Sequence, residues 1–147
     1  MPEKETLERA KEDEREGKAP STQAGEFVRE EIEHVREGKH GARSTKQAIA
    51  IGLSKARRAG VELSPPEKGS KKTRKQAARD LRKGKSKSKK KSAKRSRATS
   101  RALKREGRSA ASKTALSRQA RSAARKRSAA SRSQSAKKAA RTRKKRT

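Results

Sequence analysis

Cysteine, tryptophan and tyrosine are absent from these 147 residues, and phenylalanine occurs once, as Phe27. Without cysteine there is no disulfide framework, no thiolate metal site and no cysteine nucleophile. With a single aromatic residue, the stacking platforms of RNA-recognition, cold-shock and single-strand-binding domains are excluded, and Phe27 is read as a core residue. Apolar residues make up 26% of the chain against 43% charged, which excludes a large buried core, and no apolar run reaches membrane-span length. The opening MPEKETLERAKEDEREGKAP is acidic and polar, the opposite of a basic-then-apolar secretory signal, so a soluble cytoplasmic protein is expected. No glycine-rich phosphate loop occurs, no serine has a partner base fixed in geometry, and the carboxylates have no dehydrated cleft to tune them. A non-enzyme without cofactor is expected.

What the chain does have is positive charge, distributed unevenly. Residues 1–40 carry 8 Lys/Arg against 12 Asp/Glu, residues 41–70 carry 6 against 2, and residues 71–147 carry 33 against 2. The formal net charge of +31 therefore belongs to the C-terminal half. A block of this kind repels itself and is neutralised by a polyanion, of which nucleic acid is the most abundant in a cell.

Residues 2–17 are good helix formers, with Glu5, Glu8 and Glu12 at helical spacings from Arg9, Lys11 and Arg15, but Leu7 is the only large apolar side chain. Pro20 interrupts this element. Val28, Ile32 and Val35 then follow an i, i+4, i+7 stripe with Phe27 beside it, which predicts an amphipathic helix up to about Glu37. Gly38 and Gly41 supply a cap and a turn. Ser44-Thr45-Lys46-Gln47 matches a capping box, predicting a second helix from about Thr45 with Ile49, Leu53 and Ala56 on its apolar side. Gly60 is placed at a left-handed cap with Val61 folding back on Ala56. Ser64-Pro65-Pro66 closes a helical hairpin over residues 22–63, whose core is Phe27, Val28, Ile32, Val35, Ile49, Leu53, Ala56 and Val61. This hairpin is small, so self-association or docking on a protein partner is expected, with Ala48, Gly52 and Ala56 permitting close helix approach.

Beyond the Pro-Pro break, residues 71–83 predict a short basic helix around Ala77, Ala78 and Leu81. Residues 84–96 are low-complexity Lys/Ser sequence, read as a flexible polycation. The remainder is Ala, Ser, Arg and Lys, in which the word Arg-Ser-Ala-Ala recurs at Arg108, Arg121 and Arg127 without a fixed period. The expected fold class is all-α: a small helical hairpin plus a long basic tail, largely disordered or conditionally helical. The expected segments are 1–20 (acidic helix or arm), 21–64 (hairpin module), 65–96 (basic linker with a short helix) and 97–147 (polycationic tail).

The candidate phosphate contacts are Lys71, Lys72, Arg74, Lys75, Lys89, Lys90, Lys91, Lys94, Arg95, Arg97, Arg101, Lys104, Arg105, Arg121, Arg125, Lys126, Arg127, Lys137, Lys138, Arg141, Arg143, Lys144, Lys145 and Arg146. Each meets a phosphate by a charge-assisted hydrogen bond, and the scarcity of Asn and Gln argues for backbone rather than base recognition. A helix-turn-helix reading of residues 47–61 is weak, because nothing breaks the helix from Ser44 to Ala59 and a position that should be buried falls on Arg58. His34 and His40 lie at the turn near Glu30, Glu33 and Glu37. Their spacing matches no ligand pattern, so they are read as surface histidines and no metal is expected.

The block EFVREEIEHVREGKHGARSTKQAIAIGLSKARRAG, with the opening MPEKETLERAKEDEREGKAPSTQAG and the later SRATSRALKREGRSAASKTALSRQARSAARKRSAASRS, resembles an uncharacterised family of small basic bacterial proteins classed as a domain of unknown function. The resemblance implies a bacterial, cytoplasmic origin and brings no activity with it. The tail separately resembles the Lys/Ala-rich arms of linker-histone-like bacterial proteins, which implies association with DNA. The expectation is a nucleoid-associated, histone-like protein that binds DNA without sequence preference. The acidic N-terminal segment is expected to fold back on the arm and compete with phosphates. The alternatives are an RNA- or ribosome-associated factor, or a protein-interaction adaptor localised by its tail.

Overall fold

A computed structural model describes residues 1–86 and 90–146. Within them the chain forms seven α-helices, α1 (Lys4–Arg15), α2 (Pro20–Arg36), α3 (Thr45–Ala59), α4 (Lys71–Lys85), α5 (Ala93–Lys104), α6 (Lys113–Arg125) and α7 (Ala129–Arg146), with a 3₁₀ turn at Ser109–Ala111. No strand occurs among the described residues. The chain divides into two compact units, Met1–Ser112 and Lys113–Thr147.

The centre of the first unit is the α2–α3 hairpin. Pro20 sits at the start of α2, where its missing N–H is one of the donors a helix leaves unpaired in any case. Ser44 caps α3 by accepting from the Gln47 amide at 3.2 Å. Gln47 answers one residue earlier than a strict capping box requires, its Oε1 accepting from the Arg43 amide at 2.6 Å. Gly60 ends α3 at φ 108, and the Val61 amide returns to the Ala56 carbonyl at 3.1 Å. The helix is continuous from Thr45 to Ala59, so no helix-turn-helix forms there.

Phe27, Ile32, Val35, Ala56 and Val61 are buried, whereas Val28, Ile49 and Leu53 are half-buried. The two helices approach closely at Gly52, where a Cβ would lie 2.6 Å from the Val28 Cα. The small residues of α3 are therefore used inside the chain: Ala48 and Ala56 are fully buried against its own neighbours. Within the chain, α1, α4 and the 3₁₀ turn pack on this hairpin.

The first cover is α1, which packs on α2. Ala10 joins Ala24, Phe27, Ala56 and Val61 in one cluster, with Leu7, Leu53 and Leu63 against it. A helix with a single large apolar residue docks because alanine permits close contact. Arg9 pairs with Glu5 on α1 and across to Glu26 of α2, and Lys18 after α1 pairs with Asp13 and Glu16. The N-terminal segment, expected as an acidic helix or arm, is a helix that contributes Ala10 and Leu7 to the core.

On α3 lies α4, and its apolar contribution is thin: Ala77 is its one buried apolar residue. The anchor is Asp80, 1% exposed, whose carboxylate accepts from Arg58 Nε at 2.8 Å, Ser54 Oγ at 2.8 Å and Gln76 Nε2 at 3.1 Å. Buried Arg57 ties down the following loop by donating to the carbonyls of Leu63 and Ser64.

The largest departure from the sequence expectation lies after residue 84. The described part of the expected flexible polycation is helical at both ends, with Gly84 and Lys85 in α4 and residues 93–96 in α5. Residues 103–111 dock on the α2–α3 turn. The Gly41 amide donates to the Leu103 carbonyl at 2.9 Å and the Ala42 amide to the Gly107 carbonyl at 3.0 Å. Thr45 Oγ1 donates to the Ala110 carbonyl at 2.6 Å, and Arg36 Nε to the Ala111 carbonyl at 2.9 Å. Ala110 and Ala111 are buried. One copy of the Arg-Ser-Ala-Ala word is therefore a plug in the helical core.

In the second unit α6 and α7 account for nearly all described residues. The expectation of a largely disordered tail is corrected here: the composition that reads as low complexity is also rich in helix formers, and serines start the helices. Ser70, Ser92 and Ser128 accept from the amides of Thr73, Arg95 and Ser131 at the starts of α4, α5 and α7. These caps and the intrinsic preference of Ala, Arg and Lys for helix outweigh the like-charge repulsion.

Candidate nucleic-acid interface

A helix presents a neighbour on the same side every three or four residues, so a basic helix becomes a ladder of cations. On α4, Lys71, Lys72, Arg74 and Lys75 are all exposed, together with Arg79, Arg82, Lys83 and Lys85, which the sequence reading left out. Lys90 and Lys91 precede α5, on which Lys94, Arg95, Arg97, Arg101 and Lys104 are exposed, and Arg105 follows at its C-terminal cap. Lys89 lies outside the described residues.

In the second unit, Arg118, Arg121 and Arg125 line one groove along α6 with the hydroxyls of Thr114, Ser117 and Ser122. At 1.5 Å per residue, Arg118 and Arg125 stand about 10.5 Å apart along the axis. Guanidinium forks and hydroxyl donors together form a donor set suited to phosphate oxygens. On α7, Lys137, Lys138, Arg141, Lys144 and Lys145 recur at helical spacing, with Arg143 and Arg146 off that line, and all are exposed. Lys126 and Arg127 are exposed between the helices. Arg127 is committed to α7, donating to Ser131 Oγ at 3.1 Å, to the Ser131 carbonyl at 3.1 Å and to Ser135 Oγ. Its role is to hold the start of α7.

Two electrostatic features follow from this placement. Acidic counterparts are scarce, because residues 71–147 contain only Asp80 and Glu106. Asp80 is buried and satisfied by Arg58, Ser54 and Gln76. In addition, α4, α5, α6 and α7 have no acidic residue in the first turn, where the helix dipole favours negative charge. Lys71 and Lys72 stand there on α4, and Lys94 and Arg95 on α5. An arriving anion would relieve both the repulsion and the unfavourable dipole contact. Phe27, the sole aromatic, is 1% exposed and offers no stacking surface.

The signals the sequence reading missed are modest. Arg118 stands three positions before Arg121 and seven before Arg125, so the 3.6-residue period places all three on one side of α6. No curated protein and no solved structure matched the chain. The family comparison covers the hairpin and its flanks, with α1 and α4 to α7 outside the match: residues 18–68 match the model of a family of unknown function, DUF6496, which places that segment in an uncharacterised family.

Proposed function

We propose that the chain binds duplex DNA through its phosphate backbone without reading sequence, as a nucleoid-associated, histone-like protein of a bacterial cytoplasm. The observation that carries this reading is the array of exposed Lys and Arg on α4 to α7, in a segment with two acidic residues, one of them buried and fully paired. Each unit has its own set of cations, and the second has 14 Lys/Arg and no Asp or Glu. Two linked weak sites raise each other's effective concentration, so one chain can hold two stretches of duplex. Duplex is favoured over single strands because stacking on exposed aromatics, the usual source of single-strand affinity, is missing. The helical core serves as the scaffold from which α4 and α5 project their cations.

The test compares the full chain with a chain shortened after Ser112, the boundary between the units, on a duplex of fixed length across a salt series. Loss of residues 113–147 is expected to weaken binding and make its salt dependence shallower, with the remaining affinity carried by α4 and α5. Unchanged affinity would remove the second unit from the reading. Ribosomal RNA as competitor decides the kind of nucleic acid: if it strips the protein from duplex DNA at equal phosphate concentration, the chain is an RNA-binding factor.

A further inference from the structure

At the turn between α2 and α3 two histidines meet a fully buried carboxylate. Glu31 on α2 is 0% exposed; its Oε1 accepts from the Lys55 ammonium of α3, and its Oε2 has no hydrogen-bond partner. His40 Nε2 stands 3.2 Å from that Oε2, and His34 Nδ1 stands 3.9 Å from Oε1. The ligand atoms of these three residues all lie within 4.8 Å of one another. The other nitrogen of each ring is already engaged. His40 Nδ1 lies 2.9 Å from the Gly41 carbonyl, and His34 Nε2 lies 3.0 Å from Glu3 Oε1. A carbonyl oxygen can only accept, so His40 Nδ1 carries the proton. In the neutral ring, Nε2 then presents a lone pair to a carboxylate oxygen, two acceptors facing each other. The same holds for His34 when its Nε2–H donates to Glu3. Lys55 already answers Oε1, so it is the contact at Oε2 that calls for a cation between ring and carboxylate.

We propose that Glu31, His34 and His40 bind a divalent transition-metal ion, with Zn²⁺ the best match to one carboxylate and two imidazoles. Tetrahedral bonds of about 2.0–2.1 Å place neighbouring donor atoms about 3.3 Å apart, close to the 3.2 Å between His40 Nε2 and Glu31 Oε2, with the His34 ligand atom within 4.8 Å of both. Glu31 binds through Oε2 and keeps Oε1 for Lys55. Glu31 and His34 share one side of α2 at i, i+3, and His40 comes from the turn, so the ion links the end of α2 to the segment leading into α3. The outer contacts have the form metal-binding histidines use, one ring N–H on a carboxylate and the other on a backbone carbonyl. Glu3 is itself held by Lys39 Nζ at 3.2 Å, and its amide donates to the buried Glu30 carboxylate at 3.3 Å, which makes it a positioning residue. The fourth coordination position is left to water or another small donor.

The experiment is titration of the nucleic-acid-free full chain with Co²⁺, followed by visible absorption, and then displacement by Zn²⁺. The wild-type chain is expected to form a one-to-one complex with the spectrum of a four-coordinate site, and Zn²⁺ to abolish it. His34→Gln and His40→Gln should each lose that spectrum, and Glu3→Gln should weaken binding by about 10–100-fold while keeping the spectrum. Lys55→Met keeps all three ligands and removes a neighbouring positive charge, so it should tighten binding about tenfold. Absence of a one-to-one complex in the wild-type chain would overturn the proposal. Binding that survives both histidine substitutions, or that weakens in Lys55→Met, would overturn it as well.

Discussion

Replacing Asp80 by alanine removes the buried polar anchor of α4. Three donors converge on its carboxylate, one of them a guanidinium, at 2.8 to 3.1 Å. Breaking a fully buried ion pair costs about 3–5 kcal/mol. Arg58 is 48% exposed and recovers water when its partner is lost, so the upper part of that range does not apply. Ser54 and Gln76 lose a partner at about 1 kcal/mol each. The expected loss is about 2–3 kcal/mol, equivalent to a fall in Tm of roughly 10 °C for a unit of this size. Asp80→Asn keeps the shape without the charge and should lie between alanine and wild type. The assay is urea unfolding of the full chain followed by the methyl resonances of Val35 and Val61, which report on the first unit alone. Burial by itself would push the Asp80 carboxyl up, but the hydrogen bonds and charge of Arg58, with Ser54 and Gln76, outweigh it and hold it below the ordinary carboxylate range. A carboxyl lowered in the folded state contributes stability above its unfolded pKa of about 3.9, and that contribution disappears as pH falls through the folded value. The difference between wild type and Asp80→Ala should therefore be constant from pH 8 to 5 and shrink below about pH 4. A loss under about 0.5 kcal/mol, or a difference that persists undiminished in acid, would refute the assignment of Asp80 as the anchor.

Gly52→Ala places a methyl 2.6 Å from the Val28 Cα, so the gain of about 1 kcal/mol from better helix propensity should be reversed into a net loss of about 1–2 kcal/mol in urea unfolding. Gly41→Ala places a Cβ 1.9 Å from the Glu106 carbonyl and should lift residues 103–107 from the turn. Faster trypsin cleavage after Arg105 and Arg108 would register that release, with α2 and α3 still protected from amide exchange. Thr45→Val removes the buried bond to the Ala110 carbonyl at a cost of about 1–2 kcal/mol and should accelerate the same cleavage.

The hairpin was legible because its signals are strong and local: the stripe at Val28, Ile32 and Val35, the Ser44 cap and the Gly60 stop each carry their own physics. The short helix at residues 71–83 was legible as well, though not what fastens it. Asp80 is one acid in a basic run, and nothing local says that it meets Ser54 and Arg58 more than twenty positions earlier. The roles of α1 and residues 103–111 were hidden for a related reason. They dock through alanines and backbone hydrogen bonds, which leave little trace in hydropathy. The histidines at residues 34 and 40 looked like surface groups because two of the carboxylates that hold them, Glu3 and Glu31, were not weighed in the sequence reading, and Glu3 reaches them only through the packing of the N-terminus. The cations of the candidate interface were plain in composition, while their exposure and helical spacing needed the fold.

The central claim, that affinity resides in phosphate contacts made by exposed Lys and Arg, is tested most directly by the salt dependence of duplex binding by the full chain on two unrelated sequences of equal length. With about ten phosphates engaged, log K should fall against log salt with a slope of about −9, and the two lines should superimpose. A slope near zero, or a large gap between the two sequences at fixed salt, would contradict it.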